Sequence, residues 1–406
     1  MDRAVFGLLL AAAVVVLIRR SSRTRTFLRA NWPILIYFFY CLVSVLWSDF
    51  PDVAFKRWTK AIGDLAIILV IVTDAQPIAA LRRLFSRTGF VLLPTSVLFI
   101  KYYENLGRGY DPIGLPMNTG VTTNKNMLGV TVLVLSLGAM WQVLTLFRAN
   151  GQHNRGRRLL AQAVLLAFGI ALLGMADSAT SLACFILGSA LMLATQLATF
   201  RRHPGAVHAL VAMIVLAGGV AMLFGGEGDV IHALGRKTNL TDRTVIWAAV
   251  IPAVPNPVIG AGFESFWLGP RLNMVWSHLS QYMHVNEAHD GYLEVYLNLG
   301  WVGVGLISFV LISGYQRAVA AFSRDPAVGS LMLAYVASAA VYSVTEAGFR
   351  MLDPIWIFLL LAVVASSGVA SGVDLRAPER VLVPPGRSPE LSAGGSFAVV
   401  SVGKRN

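Results

Sequence analysis

Charge is what this sequence has least of. Only 13% of its 406 residues are Asp, Glu, Lys or Arg, against roughly a quarter in a soluble domain. Together with 56% hydrophobic residues and a mean hydropathy of +0.66, that deficit excludes an ordinary soluble enzyme, a disordered chain and a coiled coil. Cysteine is nearly absent too. Cys41 and Cys184 both sit in apolar runs, so neither a disulfide framework nor a cysteine metal site can be built. No HExxH, no P-loop, no GxGxxG after a strand and no nucleophile elbow occurs, and these chemistries fail on inventory. His278 and His284 are six apart with few acids nearby, which argues against zinc. No repeat appears at a fixed period, so a duplicated transporter gains no support.

Long apolar stretches are what remains. A membrane-crossing helix needs about 20 mostly apolar residues. Eleven stretches qualify as candidates, near 4–18, 32–48, 61–73, 88–101, 127–147, 159–176, 181–200, 207–225, 293–314, 329–345 and 354–372. The expected architecture is therefore all-α: a polytopic membrane domain over 1–372 with about 11 transmembrane helices. The first span is no secretory signal, because Arg19, Arg20, Arg23, Arg25 and Arg29 follow the apolar run instead of preceding it.

Sidedness follows from the basic residues. Alternate connections hold 21 Lys and Arg in one set and 12 in the other, and the acids favour the second set. The first set is assigned to the cytoplasm, which puts the amino terminus outside and the carboxy tail inside. The formal charge of +12 is then a topology signal and an attraction to anionic lipid, with no nucleic-acid partner. The tail, 373–406, holds Pro378, Pro384, Pro385 and Pro389 before a Gly/Ser stretch and reads as disordered.

One outer connection, 226–288, is far longer than the rest, and long loops in compact domains are usually functional. His232, His278, His284 and His289 lie in it or at its end, with Arg236, Arg243, Arg271, Glu264 and Glu287. Asn256 to Phe263 reads as a turn, because Pro and Gly punctuate the apolar residues. His289, in Ala288-His289-Asp290-Gly291-Tyr292-Leu293-Glu294, meets membrane, loop and water, and its imidazole can accept a proton near neutral pH. Asp290 and Glu294 are badly spaced to orient it, and a polar helix start without chemistry is the alternative. Arg243, in Leu240-Thr241-Asp242-Arg243-Thr244, would sit at a helix start capped by Thr241 or Asp242, a place that favours a phosphate. Lys56, Arg57 and Lys60 open the third span, with Asp64 at i+4 from Lys60 as a possible partner. Thr123-Asn124-Lys125-Asn126, at the mouth of the fifth span, suits sugar hydroxyls or phosphate.

In one order along the chain run Trp47-Ser48-Asp49-Phe50-Pro51 with Lys56-Arg57, Thr123-Asn124-Lys125-Asn126, and Asp242-Arg243-Thr244 with Trp247. Gly260-Ala261-Gly262 with Phe266-Trp267, and then Ala288 to Glu294, complete the series. This order resembles the O-antigen ligase and polysaccharide polymerase family, particularly its exopolysaccharide-production branch. The resemblance covers about 32 to 372. It implies a bacterial inner-membrane glycosyltransferase with a large periplasmic loop, acting in exopolysaccharide or O-antigen (lipopolysaccharide) biosynthesis. The implied donor is a glycan on undecaprenyl pyrophosphate, and the acceptor a glycan or lipid. It further implies contact with membrane lipid and with other polysaccharide export proteins.

His289 matches the position taken as catalytic base and Arg243 an arginine that binds the leaving pyrophosphate. Transfer would invert the anomeric carbon and use neither metal nor cofactor. Arg57, Lys60, Lys125, Asn124, Trp247 and Glu294 complete the expected substrate-binding set, with Arg57 ranked first among further cations. Arg350 ranks lower, because Glu346 and Asp353 would occupy it. Three departures stand out: Asp177 to Ser181 lacks the Arg of a common Ser-Arg pair, Asp242 replaces a glycine, and Asp290 replaces an asparagine. A ligase proper, joining glycan to a lipid core, and a transporter or flippase of lipid-linked glycan are the alternatives.

Overall fold

The computed structural model describes residues 3–110, 114–148, 154–224, 240–279 and 285–370. The expected tail at 373–406, and His232, Arg236 and His284, lie outside the described residues. Among the described residues fourteen helices follow one another: α1 (Arg3–Arg19), α2 (Ser21–Ala30), α3 (Trp32–Val43), α4 (Pro51–Val72), α5 (Pro77–Tyr102), α6 (Lys125–Arg148), α7 (Arg155–Ala176), α8 (Ala179–Ala194), α9 (Pro204–Phe224), α10 (Leu240–Val250), α11 (Gly269–Ser277), α12 (Gly291–Arg324), α13 (Pro326–Tyr342) and α14 (Pro354–Ala370). Short helical turns at 44–47, 104–107 and 198–202 join them. One small antiparallel pair, β1 (Arg108–Tyr110) with β2 (Pro116–Asn118), sits among the helices, with Gly114 (φ 82°) between its strands.

Each of the eleven apolar stretches overlaps a helix. Among the described residues four helices, α5, α6, α7 and α12, are long and apolar enough to cross a membrane, or five spans if the bent α1–α2 pair counts as one. The α3 segment, α8, α9, α13 and α14 are apolar but shorter. Several boundaries differ from expectation: α5 begins at Pro77, not near 88, and α12 runs on to Arg324. The third apolar stretch belongs to a helix that begins at Pro51, ten residues early, because Pro at the first position suits a helix start and the charged first turns need no apolar run. The basic cluster after the first span is itself helical: α2 turns 98° from α1.

Helices α12, α13 and α14 pack on one another, and α6 packs on α7, α8 and α13 to close the core. Trp141 and Tyr335 seal this contact from buried positions, each donating to a backbone carbonyl, Trp141 Nε1 to Ala327 at 2.7 Å and Tyr335 Oη to Val134 at 2.7 Å.

The α12 ladder breaks at Gly300 (φ 63°, ψ −166°), and the loop 257–262 fills the break. Ala261 and Gly262 amides donate to the carbonyls of Leu297 and Asn298 at 3.1 and 2.8 Å, while Trp301 and Val302 amides donate to Pro257 and Val258 at 2.9 and 3.1 Å. The turn expected at 256–263 is thus a clasp, and it closes hydrogen bonds that a membrane helix cannot leave open. A Cβ at residue 300 would fall on the Val258 carbonyl, and its φ is left-handed. Gly300→Ala is expected to destabilise the fold by about 2 kcal/mol or more, read as a lowered Tm in detergent. A Tm equal to the parent's would show that the clasp is not required.

Candidate active site

The motifs that are scattered along the chain meet at one end of α6. Trp47 and Ser48 hold the loop that follows the clasp: Trp47 Nε1 donates to the Ile259 carbonyl at 3.3 Å and Ser48 Oγ meets Ser265 Oγ at 2.7 Å. Asn298 Oδ1 accepts from the amides of Ser265 and Phe266 at 2.8 and 3.0 Å. Gly291 lets the start of α12 press against the hairpin between α13 and α14. Its amide donates to the Ser343 carbonyl at 2.7 Å, and a Cβ would lie only 2.9 Å from Ser343 Cβ. That contact sets His289 beside Glu346.

A chain of charges results. Arg243 pairs with Glu346 at 3.2 Å, and the His289 Nδ1 lies 3.4 Å from Glu346 and 3.3 Å from Glu287. Arg350 pairs with Glu287 at 2.7 Å and lies 3.9 Å from Glu264. Asn126 Nδ2 donates to Glu346 at 3.1 Å. Beside this chain opens a cavity of about 290 Å³, lined by Asn124, Asn126, Glu264, Glu287, Glu346 and Arg350 among others. His289 (φ 51°), Glu264 (φ 52°) and Leu352 (φ 62°) all adopt left-handed backbone, and such strain concentrates at functional sites.

Burial pulls the His289 imidazole down, but the hydrogen bond and charge of Glu346, then the charge of Glu287, outweigh it. Its pKa ends above the ordinary 6.5. With Nδ1–H turned to carboxylates, Nε2 is the nitrogen left to take a proton from a substrate hydroxyl. Arg350 is pulled down by burial and raised more by Glu264, Glu294 and Glu287, so it stays charged.

The other expected residues occupy distinct places. Arg57 donates from Nη1 to the carbonyl of Glu264, a residue that lines the cavity. Among the described residues neither Arg57 nor Lys60 pairs with a carboxylate. The expected Lys60–Asp64 pair does not form: Asp64, buried, accepts the Leu352 amide at 2.9 Å and pins the α13–α14 hairpin instead. Asn124 lines the cavity while its Oδ1 accepts the Met127 amide at 2.8 Å. Lys125 faces Asp177 at 3.9 Å. Trp247 donates to the Ala288 carbonyl at 2.8 Å and so steadies the residue before His289.

Glu294 is 4% exposed; it accepts Trp267 Nε1 at 3.0 Å and the Ala288 amide at 2.5 Å. The structure therefore places it behind His289, shaping the loop. Arg243 lies inside the first turn of α10, which starts at Leu240, three residues before Arg243. The side chains of Thr241 and Asp242 lie outside the described ones.

Sequence reasoning left Glu346 and Asn126 out of the expected site set and ranked Arg350 low. A signal existed: Glu346, Arg350 and Asp353 crowd a short connection between two apolar stretches, where ionisable residues are costly. The fold also supplies what sequence spacing did not, an acidic pair. Glu287, His289 and Glu346 bring ligating atoms within 4.8 Å of one another, an arrangement that could hold a cation. Each of those carboxylates, however, already faces a guanidinium.

Residues 162–310 match the family model for O-Antigen ligase, a stretch that holds Arg243, Trp247, His289 and Glu294. Over that stretch, just over a third of the chain, it is similar to the O-antigen ligases. No curated protein matches it. The family match ties the chain to glycan assembly of the ligase or polymerase type. With its apolar helices, it is a multi-pass membrane protein.

Proposed function

We propose that this protein transfers or polymerises glycan repeat units from undecaprenyl pyrophosphate at the periplasmic face of a bacterial inner membrane, in exopolysaccharide or O-antigen biosynthesis. Eleven crossings, with the long loop outside, agree with the basic-residue asymmetry. One observation carries the chemistry: an imidazole held by Glu287 and Glu346, two carboxylates that line a polar cavity, each paired with a guanidinium.

His289 takes the proton of the acceptor hydroxyl, and that oxygen attacks the anomeric carbon from the face opposite the pyrophosphate. The bond to the pyrophosphate oxygen breaks with inversion. Undecaprenyl pyrophosphate leaves with the negative charge, so it needs cations more than a proton donor. Arg243 supplies one. Arg57, without a carboxylate partner, is the first further candidate, followed by Lys60 and then Lys125. Asn124 and Asn126 face the cavity and suit sugar hydroxyls. Because Arg243 and Arg350 already balance the carboxylates, the reading is metal-independent.

Purified protein given a polyprenyl-pyrophosphate-linked repeat should yield longer glycan and free polyprenyl pyrophosphate, with or without EDTA. Loss in EDTA with rescue by Mg²⁺ or Mn²⁺ would assign a metal to Glu287, His289 and Glu346. Attachment of the glycan to a lipid core instead would make it a ligase proper. The break in α12 is a feature shared with transporters, but here loop backbone fills it. Movement of donor across liposomes without bond formation would overturn the transferase reading.

A further inference from the structure

A second cavity, of about 410 Å³, lies between α5, α6 and α7, away from His289. Asn126 at the candidate site and Gln142 at this cavity are both on α6, sixteen residues or about 24 Å apart. Four arginines line it: Arg82, Arg83, Arg87 and Arg158. They belong to the connections whose basic excess marks the cytoplasmic side. Arg82 lies over the Trp141 ring, 5.6 Å from its centre. Asp74 pairs with Arg83 at 3.7 Å but is shared with Arg20 at 3.2 Å. Arg87 and Arg158 are exposed at the rim, and among the described residues Arg87 has no acidic partner. The cavity is thus strongly positive at a membrane boundary, where basic pockets between helices take lipid headgroups.

A second observation points to a ligand. Gln162 Nε2 donates to Ser86 Oγ at 3.0 Å, and Ser86 Oγ donates to Gln142 Oε1 at 3.4 Å. This leaves Gln142 Nε2 and Gln162 Oε1 with no partner in the protein, although the two residues are only 5% and 7% exposed and both line the cavity. Buried amides left open are costly. The donor Gln142 Nε2 suits a phosphate oxygen beside the guanidiniums. The acceptor Gln162 Oε1 calls for a hydroxyl, as a glycerol headgroup supplies.

We propose that this cavity binds a phosphate group, supplied by the glycerol-phosphate headgroup of an anionic membrane lipid or by free phosphate, through Arg82, Arg87, Arg158 and Gln142. The test uses the full chain in mild detergent and the Arg87→Gln/Arg158→Gln variant, whose changes are at exposed positions that leave the core intact. Native mass spectrometry would count retained phosphatidylglycerol and phosphatidylcholine at equal concentration, and thermal shift would follow inorganic phosphate. The parent should retain phosphatidylglycerol at least tenfold more than phosphatidylcholine, and the variant should lose that preference. A phosphate-dependent Tm rise that the variant loses, without any lipid preference, would name free phosphate as the source. Equal retention of both lipids by parent and variant, with no phosphate shift in either, would overturn the proposal.

Discussion

His289→Ala is expected to lower glycan transfer by about 10²–10⁴-fold while donor binding and protein abundance stay near the parent's. The expectation rests on the one imidazole that touches both Glu287 and Glu346 at the cavity. It extends to pH. The pKa of His289 is raised, so the imidazolium persists above pH 6.5, and only the neutral ring can accept a proton. The rate should therefore climb as pH rises through a value above 6.5 and then level off. Glu346→Gln removes the hydrogen-bonding charge that raises the pKa, so the climb should move to lower pH. The stabilising His289–Glu346 attraction runs the other way: it is complete below the free-imidazole value and fades as pH rises through the folded one. A His289→Ala protein that turns over at the parent rate would pass the role to another base, with Glu287 the nearest carboxylate.

The second large effect is expected at Arg350. It faces Glu287 and Glu264, and Glu294 and Asp353 also feel its charge. Arg350→Ala leaves these acids without their cation, a change that costs about 3 kcal/mol when a partly buried pair is broken. A sharply lower Tm and yield in detergent should follow. Arg350→Lys should recover part of it, because a single ammonium cannot hold two carboxylates in the fork that a guanidinium offers. Donor KM measured on the Lys variant separates the roles: a recovered Tm with raised KM would add Arg350 to the pyrophosphate contacts. An unchanged Tm in the Ala variant would mean the acids are protonated or solvated, not paired.

The apolar helices were legible because each carries its own apolar run, which the basic α2 lacks, and the family motifs were legible because they are short and ordered. What escaped was pairing across the chain. Arg243 meets Glu346 from 103 residues away and His289 meets it from 57, and no local spacing encodes either contact. Local spacing also misled: Lys60 and Asp64 are a turn apart, yet Asp64 serves Leu352, nearly three hundred residues on. Glu294 shares a motif with His289 but points back to Trp267 and Ala288, because the start of α12 turns it inward. The acidic pair at the cavity is visible only once the hairpin after α13 meets the loop before α12.

The clasp at Gly300 restricts motion. Four backbone hydrogen bonds fix the segment 257–262 to the broken helix. Pulling it away would expose those amides and carbonyls where water is scarce, at a cost of a few kcal/mol for each group left open. This part of the long loop therefore cannot swing as a gate on each catalytic cycle. Glu264, two residues beyond the clasp, and with it the Arg57 that it holds, should stand still through turnover. Whatever opens to admit acceptor and release product has to hinge elsewhere, and the clasp is the stationary wall against which it closes.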